Sequence, residues 1–305
     1  MNDVRGEQGE GPGCSDAFHS GYVAICGYPN AGKSTLLNAI LEQKLAIVTP
    51  KPQTTRHRTL GILTNERCQM IFIDTPGILD PRYDLQAAMM KQVGKSIADA
   101  DVILYLADVR HPRLAPGVVV ASRNKPTIIL LNKADLLKRV EDALPIIEEL
   151  RQQGEFVDFF AISALRGRGV HGMLGRVESL LPPGPHLYPA DQLTEHPERF
   201  FVGELIREAI FDLFRQEVPY STEVEVIEFR ESEGKADHIE AIIYVESESQ
   251  RGILIGKGGQ AIKRLGSKAR VSIEEFLSRP VFLGIKVKVM PNWRRDKRAL
   301  RRFGY

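Results

Sequence analysis

Sulfur is scarce in this chain. Its 305 residues include three cysteines, Cys14, Cys26 and Cys68, odd in number and widely scattered. That argues against a disulfide framework and fits a reducing compartment. No spacing among them suits a metal, and Cys26, set in an apolar run, reads as a small core residue. No apolar run approaches the length that crosses a bilayer. The first residues carry no apolar stretch behind a basic start, so no secretion signal is expected. Nor does one sign of charge dominate: 41 Lys and Arg stand against 39 Asp and Glu, a net charge of +2. There is no internal repeat.

What is present suits a globular protein. Apolar residues make up 43% and charged residues 26% of a chain long enough for two cored domains. Residues 1–18, rich in Gly and poor in large apolar side chains, are expected to be a disordered tail. The near-zero net charge averages unlike regions. Arg251 to Arg270 holds six basic residues and no acidic one, and Trp293 to Tyr305 holds six against Asp296 alone. Basic charge gathered late in the chain favours a polyanionic partner there.

Between residues 19 and 182, short apolar runs alternate with helical patterns. The runs are Tyr22–Cys26, Met70–Asp74, Val102–Asp108, Thr127–Asn132 and Phe156–Ile162. Continuous apolar strands separated by helices predict a mostly parallel sheet covered on both faces. Thr59–Thr64 reads as an added antiparallel edge strand. Helices are expected over Lys33–Glu42, Leu85–Ala98, Val140–Gln153 and Val170–Leu181. Leu181-Pro-Pro-Gly-Pro185 breaks the pattern and opens a linker over 183–198. From 199 to 305 the order is α-β-β-α-α-β: a helix at Arg199–Phe214, strands at Thr222–Arg230 and His238–Glu246, two helices to about Ser278, and a strand at Val281–Val289. The tail Trp293–Tyr305 has helical spacing. It reads equally as an extra nucleic-acid contact or as a helix closing the domain, with Leu300 and Phe303 inward.

Gly27-Tyr28-Pro29-Asn30-Ala31-Gly32-Lys33-Ser34 spells GxxxxGKS between an apolar strand and a helix, with Thr35 next. Glycines there let backbone N–H groups approach phosphate oxygens, and the helix N-terminus adds its dipole. Lys33 would reach the β and γ phosphates, and the Ser34 hydroxyl would bind Mg²⁺. Asp74-Thr75-Pro76-Gly77 ends the next apolar run. A carboxylate at that strand end suits Mg²⁺ beside the γ phosphate, to which the Gly77 N–H could donate.

Asn132-Lys133-Ala134-Asp135 chooses the base. Guanine offers N1–H and an exocyclic amine as donors, which a carboxylate at Asp135 can accept together; adenine would leave that carboxylate unpaired. Asn132 can bond the ring's other edge or pin neighbouring loops, and the Lys133 stem can cover the purine face. The backbone of Ser163-Ala164-Leu165, after another strand, could face guanine O6. GTP or GDP is thus the expected ligand.

Late in the chain, Gly256-Lys257-Gly258-Gly259 matches the GxxG of KH domains, where glycines between two helices admit a nucleic-acid backbone. Ile253, Leu254, Ile255, Ile262 and Leu265 would line a groove. Lys257, Lys263, Arg264, Lys268 and Arg270 would supply charge.

The four nucleotide signals resemble those of translation-factor-class GTPases. With Gln53-Thr-Thr-Arg-His-Arg58, Val218-Pro-Tyr-Ser-Thr222 and Arg298-Ala-Leu-Arg301 before Gly304-Tyr305, the chain from about residue 20 to 305 resembles the bacterial Era GTPase family. The resemblance implies a doubly wound α/β P-loop GTPase domain with a mixed sheet, followed by an α+β KH domain of type II. It implies hydrolysis of GTP to GDP and phosphate with Mg²⁺. Lys51–Leu60 would be the first switch, with Thr55 or its neighbour Thr54 on the metal beside Ser34 and Asp74. Asp74–Asp84 would be the second switch. Ile78 stands where Ras-like proteins carry a water-orienting glutamine, which implies slow intrinsic hydrolysis. Asn30 is either a turn residue or the mark of a potassium ion beside the phosphates. The implied partners are the 3′ region of 16S ribosomal RNA and the small ribosomal subunit, bound by a cytoplasmic monomer that assists subunit maturation. Two other readings are a membrane-associated cell-cycle regulator on the inner face of the cell membrane and a constitutive RNA-binding module with a structural nucleotide.

Overall fold

A computed structural model describes residues 17–232 and 234–305. The expected tail lies outside the described residues, apart from Ala17 and Phe18; so does Cys14. The first sheet has six strands: β1 (His19–Gly27), β2 (Thr59–Thr64), β3 (Cys68–Asp74), β4 (Val102–Asp108), β5 (Thr127–Asn132) and β6 (Asp158–Ala161). Their spatial order is β2-β3-β1-β4-β5-β6, with β2 antiparallel to β3 and all other pairs parallel.

The strands read as continuous apolar runs because both faces are covered. Val23 and Ile25 of β1 point into one core with Leu36, Leu37 and Ile40 of α1 (Lys33–Leu41) and Met173 and Val177 of α5 (Val170–Glu178). Ala24 and Cys26 point into another with Ile103, Tyr105, Val118 of α3 (Pro116–Ala121) and Leu150 of α4 (Leu144–Arg151). Each such buried aliphatic side chain contributes roughly 1.5–3 kcal/mol. The strand order reverses at β1, which places a crevice at the C-terminal ends of β1, β3 and β4. There the strand ends deliver Gly27, Asp74 and Asp108.

Several elements differ from expectation. The helix expected over 140–153 is split: Val140–Ala143 is a 3₁₀ turn, and α4 starts where Pro145 fits its first turn. The helix expected to reach Leu181 stops at Glu178, ahead of Pro182 and Pro183. The six-residue α3 was not anticipated. The expected linker is also well packed. Leu193 O accepts from Ile62 N–H at 2.8 Å along the free edge of β2, which blocks that edge. The buried Gln69 side chain accepts from Leu187 and Tyr188 N–H and donates to Tyr188 O.

The second sheet has the order β7-β8-β9, from β7 (Glu223–Arg230), β8 (Asp237–Val245) and β9 (Val281–Val289). β7 and β8 are antiparallel, and β8 and β9 are parallel. The imperfect alternation in β7 has a cause: the register slips between Val226 and Glu228. Helices α6 (Glu198–Leu213) and α9 (Gln260–Leu277) bury Leu205, Ile206, Ile210, Leu265 and Ile273 against Ile239 and Ile243. The short α7 (Val218–Ser221) precedes β7, and α8 (Glu248–Ile255) precedes the glycine turn. In the tail, α10 (Lys297–Arg302) closes the domain: Leu300 packs with Trp293 and with Leu85 and Met89 of α2 (Asp84–Asp99). This apolar cluster ties the C-terminal helix to the first domain. No helix among the described residues is long and apolar enough to cross a membrane.

Candidate functional site

Gly27 ends β1, and the next five residues turn into α1. Gly32 caps that helix with φ +99°, and a Cβ there would stand 2.3 Å from Asn132 Nδ2. Only glycine fits both demands. Lys33 is buried, and its Nζ donates to the Gly27 and Tyr28 carbonyls at 3.2 and 3.0 Å. Burial pulls its pKa down, while the Asp74 carboxylate works the other way. Gly77 packs against Pro29, so the Asp-Thr-Pro-Gly turn faces the phosphate loop. Thr75 Oγ1 donates to Ile25 O and holds that turn to β1.

Ser34, Thr55 and Asp74 converge. Ser34 Oγ donates to Asp74 Oδ2 at 2.7 Å and lies 2.9 Å from Thr55 Oγ1. The two threonines separate cleanly. Thr54 Oγ1 donates to Lys51 O and meets Thr49 Oγ1 within its own loop, while Thr55 reaches the carboxylate group. Among the described residues, buried Asp74 Oδ1 has no hydrogen-bond partner, a costly position for an acceptor unless a cation takes it. Two hydroxyls and one carboxylate match the hard oxygen ligands that Mg²⁺ accepts beside phosphates. The residues present therefore fit the ion.

Burial also pushes the Asp74 carboxyl up from 3.8 to about 6, against the pull of Lys33 and Ser34. A carboxyl raised in the folded state adds stability that is full below its unfolded pKa and is lost as pH rises through about 6. Ionised Asp74 is thus a burden that a cation relieves. The Mg²⁺ concentration for half-maximal GTP hydrolysis should be flat above pH 7 and rise up to about tenfold per unit below pH 6. A flat dependence down to pH 5 would remove Asp74 from the metal's ligands.

The candidate base site is built from three loops. Asn132 is buried; its Nδ2 donates to Ala31 O at 2.7 Å, and its Oδ1 accepts from Ala164 N–H at 2.9 Å. Of its two sequence readings, pinning loops is the one this geometry fits. Ser163 Oγ holds the Asp135 carboxylate. Lys133 Nζ donates to Asn30 O and Asp108 Oδ2, both at 2.7 Å, so its stem crosses from the base loop to the phosphate loop. A pocket of about 230 Å³ results, with Asp135, Lys133, Ala164 and the exposed Leu165 on its wall. Asp108 was missed by sequence reasoning. Burial opposes its charge, but hydrogen bonds from Arg110 and Lys133 outweigh that and hold the carboxyl well below the usual range. Its place at the end of β4 was the available signal.

The loop from Glu42 to Arg58, which carries Thr55, has no regular structure and lies on the second domain. Lys51 Nζ caps the C-terminus of α6 through Phe211 O and Phe214 O. Arg56 is buried and donates to the Thr222, Tyr220 and Pro219 carbonyls and to Glu223 Oε2. His57 stacks on Tyr305 at 4.3 Å, and the Tyr305 hydroxyl donates to Glu223 at 2.8 Å.

In the second domain, Gly256 has φ +71° and would clash with Ala261 if it carried a Cβ. Gly258 and Gly259 also have positive φ, and exposed Lys257 lies between Gly256 and Gly258. Beyond this turn, Ile262, Lys263 and Arg270 of α9 face Phe282, Leu283 and Ile285 of β9 across a groove of about 370 Å³. Ile253 and Ile255 lie on the turn side, outside that groove's walls. Leu254 and Leu265 are in the core instead. Lys268 does not face the groove either: it pairs with Asp212 at 2.5 Å. Exposed Phe282, stacked on His238 at 5.0 Å, was missed, although its place opening a Val/Phe alternation marked it as outward.

Comparison with known proteins agrees in both halves. Residues 22–133 match the family described as 50S ribosome-binding GTPase, and residues 217–294 match the KH domain family. GTPase Era of Syntrophus aciditrophicus is 42% identical over 299 residues, covering 96% of this chain and 97% of that protein. GTPase ERA1, chloroplastic, of Zea mays is 46% identical over 296 residues, covering 94% of this chain and 70% of that protein. The crystal structure of Era in complex with MgGDPNP and nucleotides 1506–1542 of 16S ribosomal RNA matches with a TM-score of 0.89 at 38% identity, over 94% of this chain and 99% of that one. With both domains in the same order along nearly the whole length, this chain belongs to the Era family of GTPases.

Proposed function

We propose that this GTPase is a switch whose GTP-bound shape lets the KH domain grip the 3′ region of 16S ribosomal RNA, and that it thereby assists maturation of the small ribosomal subunit. It would act as a cytoplasmic monomer, with a GTPase domain at 19–182, a linker at 183–198 and a KH domain at 199–305. One observation carries the proposal. The loop that brings Thr55 to Ser34 is the loop bonded to the second domain through Lys51 and Arg56. A relative of the same fold in complex with MgGDPNP and a 16S segment supports the choice of RNA.

In this reading Lys33 binds the β and γ phosphates, the Gly77 N–H meets the γ phosphate, and Asp135 reads guanine. Ser34, Thr55 and Asp74 hold Mg²⁺, which when bound neutralises charge between the phosphates. Catalysis is positioning and charge stabilisation, with no covalent enzyme intermediate. Ile78 is drawn into an apolar cluster with Tyr28 and cannot orient water. Asn30 Nδ2 donates to Pro50 O at 3.2 Å, which fits a turn residue; the other reading is a potassium ion that adds charge beside the phosphates. Replacing potassium by sodium should slow turnover severalfold; equal rates would rule that ion out.

Crosslinking to total cellular RNA tests the partner. A sharp peak near the 3′ end of 16S RNA is expected, lost in a variant carrying Lys257→Glu and Gly258→Asp. Crosslinks spread over unrelated RNA, unchanged in that variant, would refute the assignment.

A further inference from the structure

We propose that Arg207, in α6 of the KH domain, is a positioning residue for GTP hydrolysis: it fixes the backbone beside Thr55, so that the Thr55 hydroxyl stays at Ser34 and Asp74. The inference rests on the reading of Thr55 as a magnesium ligand.

Arg207 is 1% exposed. Its Nη2 donates to the Thr54 carbonyl oxygen at 2.8 Å, and its Nη1 pairs with Glu204 one turn earlier. Among the described residues, its one hydrogen bond to the first domain is thus to the residue preceding Thr55. A surface pair with Glu204 could have stayed in water. Burying a cation is costly unless it is paired and hydrogen-bonded, and outside its own helix this contact is where Arg207 is bonded. Burial works against the charge, but the Glu204 and Glu223 carboxylates outweigh it, so Arg207 stays protonated across the working pH range.

The other neighbour of Thr55 is fixed in the same way. Arg56 donates to Thr222 O at 2.7 Å and Tyr220 O at 2.9 Å. Residues 54 and 56 are therefore both held by the KH domain. Consecutive Cα atoms stand about 3.8 Å apart, so Thr55 cannot shift independently of its two neighbours. Between Leu41 and Thr59 the chain has no helix or strand of its own to supply that rigidity. The position of the threonine is borrowed from another domain. Linkage then runs both ways: whatever moves α6 changes the metal site, as nucleotide changes α6.

Arg207→Lys separates this role from a merely structural ion pair. Lysine keeps a charge opposite Glu204 but cannot fork to the Thr54 carbonyl as well. In that reading GDP is held by Lys33 and Asp135 and does not need Thr55, so GDP affinity should stay within about twofold. The Mg²⁺ concentration for half-maximal hydrolysis should rise on the order of tenfold, with kcat falling similarly. In a Thr55→Ala background the same change should add nothing. Trp293, the one tryptophan, lies 5.8 Å from the Arg56 guanidinium and reports loop docking without turnover. Its emission difference between a GTP analogue and GDP should shrink in Arg207→Lys. If that variant does not fold, Glu204→Gln with Arg207→Gln removes both charges together and should give the same pattern. Equal losses of GDP and GTP-analogue affinity, or an additive effect on Thr55→Ala, would overturn the proposal. Failure of the RNA assignment would leave this cycle unaffected.

Discussion

Asp135→Ala should weaken GTP binding by about 10³- to 10⁵-fold, measured by displacement of a fluorescent GDP, while the melting temperature without nucleotide barely moves. The size follows from what is left behind. Guanine carries two donors on one edge, and the Asp135 carboxylate, which accepts from the Ser163 hydroxyl, is the group proposed to accept them. With alanine both donors are buried without partners. Asp135 is itself exposed at the pocket rim, so the fold loses little. Asp135→Asn makes the same point with a change of sign. An amide offers a donor, and xanthine carries an oxygen where guanine has its amine, so the variant should come to prefer xanthine nucleotides. Wild-type protein that held ATP as tightly as GTP would contradict the specificity assigned to this carboxylate.

Lys33→Met should lower kcat for GTP hydrolysis by roughly 10²- to 10³-fold, the scale of losing one preorganised donor from a site where charge develops. Lys33 is buried, so its ammonium acts in a low-dielectric setting. A second effect follows from its neighbour. Lys33 is the largest influence opposing the burial of Asp74, whose carboxyl already stands at about 6. Without the ammonium that carboxyl rises further, so the pH below which Mg²⁺ dependence steepens should move up as well. Single-turnover hydrolysis across pH 5 to 8 reads both changes. A variant hydrolysing within about threefold of wild type would contradict the role of Lys33.

Much of this site could be read from the chain because its parts are local. GxxxxGKS, Asp-Thr-Pro-Gly and Asn-Lys-Ala-Asp each lie at the end of a strand legible as a continuous apolar run, and β2 was legible as the edge strand. Contacts between distant segments were not legible. Nothing in spacing links Thr54 to Arg207 or Arg56 to Thr222, since the first domain's loop and the second domain's helix meet only in the folded chain. The choice between Thr54 and Thr55 had the same origin: adjacent hydroxyls are alike in sequence and diverge only once the backbone is fixed. Lys268 was placed with the RNA groove on charge alone, but its partner Asp212 sits on α6. Asp108 was passed over because an acidic residue ending a strand carries no signature until Lys133 folds back onto it.

The decisive measurement is the affinity of the full chain for an RNA of the 16S 3′ end, taken once with Mg²⁺ and a non-hydrolysable GTP analogue and once with Mg²⁺ and GDP. Coupling through the Thr55 loop predicts binding about 5- to 150-fold tighter with the analogue. The same affinity in both states would mean that the phosphate site and the RNA groove are not coupled, and the switch reading would be wrong.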